Sequence, residues 1–591
     1  MPKIFNLALH DEAYDKAYQI DPVSPNDLIL TTNRPFESLD GEWGFLVDPY
    51  ENGMRKKWFN EVTTDKEGRP LPMDYDFDHM ELVHVPSSFN TETHKCLYYE
   101  GMTWYSRKFG FKPGSKAEKV FLYFEGANDE CRVWLNQKYI ARHLGGSTPF
   151  CVEVTGMLKE QNRLVVMVNN SRRPDRVPAL NTDWFNYGGL YRSVNLYRVP
   201  AAFVRDMFIR LRPDGRFNKI DVSVSVEGEV DHCTVEIPEL GICKQFQISG
   251  GKGKLEINAG PILWCPENPK LYDVIIRYGN DVLQDKIGFR EISIHGSELL
   301  LNGKPLFLRG ISIHEDHIDF GKTFTEQVIR DNFAMARELN CNFIRLAHYP
   351  HSRIAALIAD EMGLMLWEEI PVYWTLMFDN PDTQKCALNQ LQELVLRDRN
   401  RASVCIWSAG NENPDTDERL TLMCRLIEEY KRLDETRPVS AACLVNYDNL
   451  VLEDRLTEYV DIIGINEYFG WYRNNMGDLS KELSNLQSGK PVLISEFGAD
   501  ALAGYNGTDN VLFTEEYQEN FYRKQLEILL SFDKVKGIIP WILFDFRSPR
   551  RQNQFQRGFN RKGLVAADRE TRKLAFYTLQ KSYQKLKETR G

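Results

Sequence analysis

Over the first half of the chain, apolar and polar positions alternate with the period of a β-strand. "KVFLYFEG" (119–126), "CRVWLNQKYIARH" (131–143) and "NRLVVMVNN" (162–170) are rich in β-branched and aromatic residues and bounded by Gly, Asn and Pro. Such runs predict strands. No helical period interrupts them, so a jelly-roll β-sandwich is the expectation for residues 1–200. Shorter runs follow: "FVRDMFIRLRP" (203–213), "KIDVSVSVEG" (219–228), "CTVEIPE" (233–239) and "YDVIIRYG" (272–279). They predict a small immunoglobulin-like β-sandwich over 201–293.

The period then changes. Strand-like stretches at 306–315, 342–348, 363–370, 403–412, 438–444, 460–466, 492–496 and 537–546 alternate with amphipathic segments. "TEQVIRDNFAMAREL", "ERLTLMCRLIEEYKRL" and the final "KLAFYTLQKSYQKLK" carry apolar residues at three- and four-residue spacing, the mark of a helix with one buried face. Strand and helix repeating in this way predict a C-terminal (β/α)8 TIM barrel over 294–591.

In such a barrel, ligands meet the C-terminal ends of the strands. Polar residues concentrate there: His314 and Glu315, Arg345 and His348, Glu368 and Glu369, Asn411 and Glu412, Asn466, Glu496, and Asp545. Many polar strand ends on one barrel face imply a polar pocket. Glu412 and Glu496 each follow apolar and small residues, where an unpaired carboxylate is expensive. Two carboxylates across a pocket suit glycoside hydrolysis. A separation of about 5–5.5 Å gives retention and about 6.5–9.5 Å gives inversion. The small residues Ser408, Ala409 and Gly410 are read as letting a sugar approach closely. Glu368, Glu369 and Asp545 read equally as structural ion pairs or as ligands of a hard cation. No metal site or cofactor is expected.

Composition narrows the field of partners. A net charge of -11 without a long basic run argues against nucleic acid and anionic membrane surfaces. The 11 cysteines are dispersed, with no CxxC pair, which fits reduced thiols in a cytoplasmic protein. Residues 1–18, "MPKIFNLALHDEAYDKAY", lack the pattern of a secretory signal, and no apolar stretch is long enough to span a bilayer.

The motifs "WSAGNEN" (407–413) and "LISEFGA" (493–499), with "LDGEWGF" (39–45), "VPSSFN" (85–90), "FNYGGLYRSVNLY" (185–197) and "LLLNGKPLFLRGISIHED" (299–316), resemble glycoside hydrolase family 2 along nearly the whole chain. The resemblance implies a sugar-binding-like first domain, a retaining mechanism, Glu412 as acid/base, Glu496 as nucleophile, and Asn411 at the 2-hydroxyl of the sugar. The pattern within the family is that of β-glucuronidases. "NEYFGWY" (466–472) brings Asn466, Tyr468 and Tyr472. "AHYP" (347–350) brings His348, next to Arg345. "TDWFNYGG" (182–189) brings Asp183 from the sandwich domain, and Trp541 matches a tryptophan of the pocket floor. "FNRKG" (559–563) fits the family's Asn-x-Lys motif, so Asn560 and Lys562 hold the sugar carboxylate.

The implied activity is release of terminal β-D-glucuronic acid from small-molecule conjugates. A β-galacturonidase or mixed hexuronidase is the alternative, and a β-galactosidase a remoter one. Glu467 stands where relatives carry Arg, and in "RSPRRQNQFQRG" (547–558) the arginine nearest the family position is Arg557. The short segment after the first barrel strand favours small aglycones over polymers. Family relatives imply a homo-oligomer, a dimer or tetramer.

Overall fold

In the computed structural model, residues 21–60, 65–70, 75–112, 114, 118–473 and 475–590 are described, so the N-terminal segment 1–18 lies outside the described residues. The chain forms two compact units. One comprises Met1–Arg172, Asn186–Ala201 and Phe320–Thr323; the other comprises Arg173–Phe185, Ala202–Asp319 and Phe324–Gly591.

The first unit is an antiparallel sandwich. A six-stranded sheet runs in the order Leu82–Val85, Gly41–Asp48, Met102–Gly110, Gln161–Asn169, Glu130–Leu135, Lys138–Leu144. A four-stranded sheet runs Phe36–Ser38, Val194–Pro200, Glu118–Phe124, Phe150–Glu153. Alternation explains the packing. Trp43, Tyr105, Val133 and Val166 join one apolar cluster, and their neighbours Trp104, Trp134, Val165 and Met167 join another. The six-stranded sheet is therefore apolar on both faces. Met54 and Phe59 belong to the cluster on its second face.

The second unit holds another sandwich, built from the sheets Phe203–Leu211/Lys219–Glu227/Lys252–Asn258 and Ile242–Gln247/His232–Ile237/Tyr272–Tyr278/Asp281–Ile287. Its strands show the strict alternation of a half-buried sheet, as in Lys219–Glu227. A closed parallel barrel follows: β1 (Leu308–Ile313), β2 (Phe343–Leu346), β3 (Met365–Glu369), β4 (Val404–Asn411), β5 (Val439–Cys443), β6 (Ile462–Asn466), β7 (Val492–Glu496) and β8 (Val535–Ile538). Every residue of β1 to β7 is buried, as expected for strands covered on both faces.

Helices Glu326–Glu338 (α1), Arg353–Met362 (α2), Pro381–Asp398 (α3), Asp417–Leu433 (α4), Gly477–Asn485 (α5), Glu515–Leu529 (α6) and Leu574–Arg590 (α7) surround the barrel sequence. Side chains of Thr325, Ser352, Asn380, Thr416 and Thr514 accept backbone N–H groups at the starts of α1, α2, α3, α4 and α6. Between β5 and β6 a 3-10 turn, Arg455–Glu458, replaces the α-helix. Among the described residues no helix is long and apolar enough to cross a membrane.

Two sequence expectations change here. The eighth strand was expected to reach residue 546, but its ladder ends at Ile538. Pro540 has no N–H to donate. Irregular bonds continue beyond it, Ser312 N–H donating to the Pro540 carbonyl oxygen at 3.1 Å and Leu543 N–H to the Ser312 carbonyl oxygen at 3.0 Å, before Phe546–Arg547 pairs with Phe559–Asn560. Asp545 is thus not a strand-end group; it accepts from Lys573 Nζ at 2.8 Å and Arg561 Nη1 at 3.3 Å. Second, Gly410 does not open space for a sugar. A Cβ there would lie 2.8 Å from the Val372 carbonyl oxygen and 2.8 Å from Met423 Cε. The position is small because backbone and side chain press on it.

The second sandwich is bonded to the barrel by buried polar contacts. Asn400 mimics a neighbouring strand: its Oδ1 accepts from Ile209 N–H at 3.0 Å, and its Nδ2 donates to Met207 carbonyl oxygen at 2.9 Å. Asn400→Ala would leave both backbone groups unpaired. We expect a loss of about 2–3 kcal/mol in unfolding free energy, read as a lower urea midpoint by tryptophan fluorescence with unchanged circular dichroism.

Candidate active site

The C-terminal ends of the strands surround a cavity of about 690 Å³. Glu412 and Glu496 both line it, from β4 and β7. Beneath them sits Arg345 at the end of β2, with no side-chain exposure. An arginine has five N–H donors, and here each has an acceptor. Nη1 donates to Glu496 Oε1 at 2.8 Å and to the Ser495 carbonyl oxygen at 3.2 Å. Nη2 donates to Asn411 Oδ1 at 2.7 Å and to Glu369 Oε1 at 3.0 Å. Nε reaches Glu369 Oε2 at 3.4 Å. Arg345 does not line the cavity; it positions groups that do.

Glu496 also accepts from the Tyr468 hydroxyl, 2.7 Å from Oε2. Burial raises the Glu496 carboxyl to about 8; the Arg345 guanidinium opposes the rise, Glu412 adds to it, and the Tyr468 hydrogen bond opposes it. Glu369 shows the reverse balance. Burial pushes it up, but Arg345 and His348 together hold it at about 2. His348 is lowered to about 4, chiefly by burial, and so is neutral near pH 7. Its Nδ1 lies 2.8 Å from Glu369 Oε1, and its ring stacks on Trp541 at 4.7 Å. Glu369 is therefore an anchor for Arg345 and His348, with a further bond from Trp367 Nε1 at 2.8 Å.

Glu412 is held differently. Its Oε2 accepts from Trp374 Nε1 at 2.8 Å and its Oε1 from Asn466 Nδ2 at 3.1 Å. The segment after β3 sets Trp374 in place by pairing with the end of β4. Asn411 N–H donates to Val372 carbonyl oxygen and Trp374 N–H donates to Asn411 carbonyl oxygen, both at 2.9 Å. Asn413 Nδ2 closes the turn on the Trp374 carbonyl oxygen at 2.7 Å. Trp374 and Glu412 have φ of 54° and 50°, in the left-handed region that side chains disfavour. Such strain is held only where surrounding bonds over-determine it.

Asn411 and Asn466 lie under the cavity. Asn466 Oδ1 accepts from Ser495 Oγ at 2.7 Å, and its Nδ2 also donates to Asn411 Oδ1 at 3.1 Å. Among the described residues Asn411 Nδ2 has no hydrogen-bond partner, although the residue is 2% exposed.

The opposite wall carries Asp183, Tyr472, Asn560 and Lys562. Lys562 Nζ donates to Asp500 Oδ2 at 2.7 Å and to the Tyr472 hydroxyl oxygen at 2.9 Å. Arg551 Nη1 donates to that same oxygen at 2.9 Å and also forms an ion pair with Asp183. Asn560 Oδ1 accepts from Lys562 N–H at 3.1 Å, and its Nδ2 donates to Asp183 Oδ2 at 3.3 Å. Burial pushes Asp500 up, but Lys562 and Arg551 outweigh it and leave the carboxyl below its ordinary value.

Sequence reasoning missed Trp374, Arg551 and Arg550. The "SPRR" run held the signal for both arginines, but the position nearest the family pattern was Arg557. That residue is exposed and donates to Gln554 carbonyl oxygen at 2.8 Å. Glu467 turns away from the cavity, where Phe469 N–H at 3.0 Å and Gln525 Nε2 at 3.3 Å donate to it. Glu368 is also outside; burial first and Asp398 second raise it well above the ordinary carboxyl range. Glu315 Oε1 accepts from Ser352 N–H at 2.6 Å at the start of α2, and His314 contacts the Tyr349 hydroxyl at 3.2 Å.

Comparison with known proteins is consistent with this arrangement. A curated beta-glucuronidase of Paenibacillus borealis is 27% identical, covering 92% of this chain and 96% of that protein. The solved structure of an uncultured Clostridium sp. beta-glucuronidase superposes with a TM-score of 0.82 at 26% identity, over 96% of this chain and 100% of that one. A GH2 beta-galacturonidase from Eisenbergiella tayi, bound to galacturonate, gives a TM-score of 0.79 at 25% identity, over 95% of this chain and 99% of that one. Residues 36–200 match the model of the family 2 sugar binding domain, 202–290 that of glycosyl hydrolases family 2, and 292–588 that of the family 2 TIM barrel domain. The chain is a glycoside hydrolase and belongs to glycosyl hydrolases family 2.

Proposed function

We propose that this enzyme is a retaining exo-glycosidase that releases terminal β-D-glucuronic acid from glucuronide conjugates. One observation carries the substrate class. Lys562 and Arg551 both donate to the Tyr472 hydroxyl oxygen, at 2.9 Å each. Both acceptor sites of that oxygen are filled, so its proton is left to donate. With Asn560 beside it, this corner is rich in fixed donors, as a C6 carboxylate requires. A neutral hydroxymethyl group carries no charge for these donors to stabilise. The relatives named beta-glucuronidase support the gluco epimer. The likeness to a galacturonate-bound beta-galacturonidase keeps the C4 epimer as the second reading.

In the proposed cycle Glu496 attacks the anomeric carbon while Glu412 protonates the departing oxygen. The products are a glycosyl ester on Glu496 and the free aglycone. Glu412, now ionised, takes a proton from water, and the resulting hydroxide equivalent cleaves the ester with net retention. Asn411 Nδ2, without a partner among the described residues, supplies a donor for the 2-hydroxyl. The chemistry uses side chains alone and calls for no cofactor.

We also propose a cytoplasmic, homo-oligomeric enzyme. All eleven cysteines are free thiols, which supports a reducing compartment. The assembly, dimer or tetramer, rests on the family resemblance.

Three outcomes test the reading. Glu496→Ala and Glu412→Ala should each lose about 10³-fold or more in kcat on an aryl β-glucuronide. Azide should rescue them to glycosyl azides of opposite anomeric configuration, α for Glu496→Ala and β for Glu412→Ala. The same anomer from both variants would refute the assignment.

Tyr468→Phe removes a hydrogen bond that lowers the Glu496 carboxyl, so that carboxyl rises. Only its ionised form attacks, so the acid limb of kcat/KM should move to higher pH. An unmoved limb would separate Tyr468 from the nucleophile.

Lys562→Met should lower kcat/KM on the β-glucuronide by about ten- to a hundredfold, the worth of a charged hydrogen bond. Side-by-side assays with β-galacturonide and β-galactoside assign the epimer. A wild-type preference for the galactoside would overturn the uronidase reading.

A further inference from the structure

We propose that the leaving-group side of the cavity receives an anionic aglycone, one bearing a carboxylate or sulfate, through Arg550 and Arg473. This deepens the uronidase reading and rests on it.

The leaving-group side is located by Glu412, the proposed proton donor. Trp374 Nε1 bonds that carboxyl, and the guanidinium of Arg550 lies over the same indole, 4.7 Å from its ring centroid. On the adjoining wall, Glu412 N–H donates to Ala442 carbonyl oxygen at 2.9 Å, next to the loop that carries Leu444 and Tyr447. Arg473 stacks on Tyr447 in the same way, at 4.6 Å. Arg550, Arg473, Trp374, Tyr447 and Leu444 all line the cavity.

The two arginines differ from the other cations of the site. Arg551 is committed to Asp183 and Lys562 to Asp500. Among the described residues neither Arg550 nor Arg473 forms an ion pair; Arg550 donates to Asn181 Oδ1 at 3.4 Å. A guanidinium stacked on a ring is held in orientation while its N–H edge stays open to an oxyanion. Two such groups, each stacked on an aromatic ring of the cavity lining, fit a leaving group that carries its own negative charge. A neutral aglycone would use the rings and leave both cations to water. Acidic sugars and acidic aryl groups share this chemistry.

The test compares matched substrates within one protein. Two aryl β-glucuronides of similar leaving-group acidity are used, one with a carboxylate on the aglycone and one with the carboxamide. A second pair links glucuronic acid to an acidic or a neutral sugar. We expect kcat/KM to favour the acidic member of at least one pair by roughly five- to tenfold at low ionic strength, eroding with salt. In Arg473→Gln/Arg550→Gln the ratio should fall toward unity. Because the ratio is read on one preparation, a loss of folded protein cancels. Preference in the disaccharide pair assigns the anion to an acidic sugar; preference confined to the aryl pair assigns it to an acidic aryl group. Equal rates in the wild type, or a preference that survives the double substitution, overturn the inference while cleavage of the carboxamide substrate sustains the uronidase reading. If no β-glucuronide or β-galacturonide is cleaved, both fall together.

Discussion

The guanidinium of Arg345 is the interaction on which the site depends. A buried cation without compensation costs several kcal/mol or more. Here two carboxylates, Glu369 and Glu496, share it, and a backbone carbonyl and Asn411 take the remaining donors. Those partners come from β3, β7 and β4, so one side chain fixes the relative positions of four staves of the barrel. The sharing has a chemical use. In the proposed cycle glycosylation converts Glu496 to an ester, and its charge disappears. Glu369 still balances Arg345, so the intermediate does not strand a buried cation. One carboxylate would make the nucleophile and the structural counter-ion the same group.

The same logic recurs around Lys562. Lys562 is 1% exposed in its side chain and Asp500 is buried beneath it, just after the strand that ends in Glu496. Asp500 also accepts from the Arg561 N–H at 2.8 Å and Gln556 Nε2 at 3.1 Å. The lysine is thereby tied to the β7 loop and to its own segment at once. Its charge is fixed before any ligand arrives, and fixed donors are what discriminate an oxyanion from a hydroxyl.

Much of this was legible in the sequence because periodicity reports burial directly. The eight staves emerge from short apolar runs, and the tips of β4, β6 and β7 emerge from polar residues that close them. What remained hidden depends on which way side chains turn. Arg345 reads as a pocket residue because it ends a strand, yet its donors are spent below the cavity. Asp545 reads as a strand end because the apolar run continues, but a proline halts the ladder first. Trp374 is invisible because its role follows from two backbone bonds to Asn411, between segments far apart in sequence. Arg551 hides among neighbouring arginines. Only the loop geometry turns it toward Asp183 and Tyr472 and leaves Arg557 outside.

The two carboxylates at the centre differ in the charge of their partners, and the roles proposed for them follow this difference. Glu496 accepts from a guanidinium, a partner that stabilises the anion most. Glu412 is half-exposed and, among the described residues, its hydrogen-bond donors are an indole and an amide, both neutral. In the proposed cycle this is the group that gives up and regains a proton, and among the described residues no cation is bonded to it. One arginine therefore distinguishes the two carboxylates, and the proposed direction of the chemistry follows that difference. In the proposed binding mode a sugar whose carboxylate meets Lys562 and Tyr472 presents its anomeric carbon to the carboxylate that Arg345 holds.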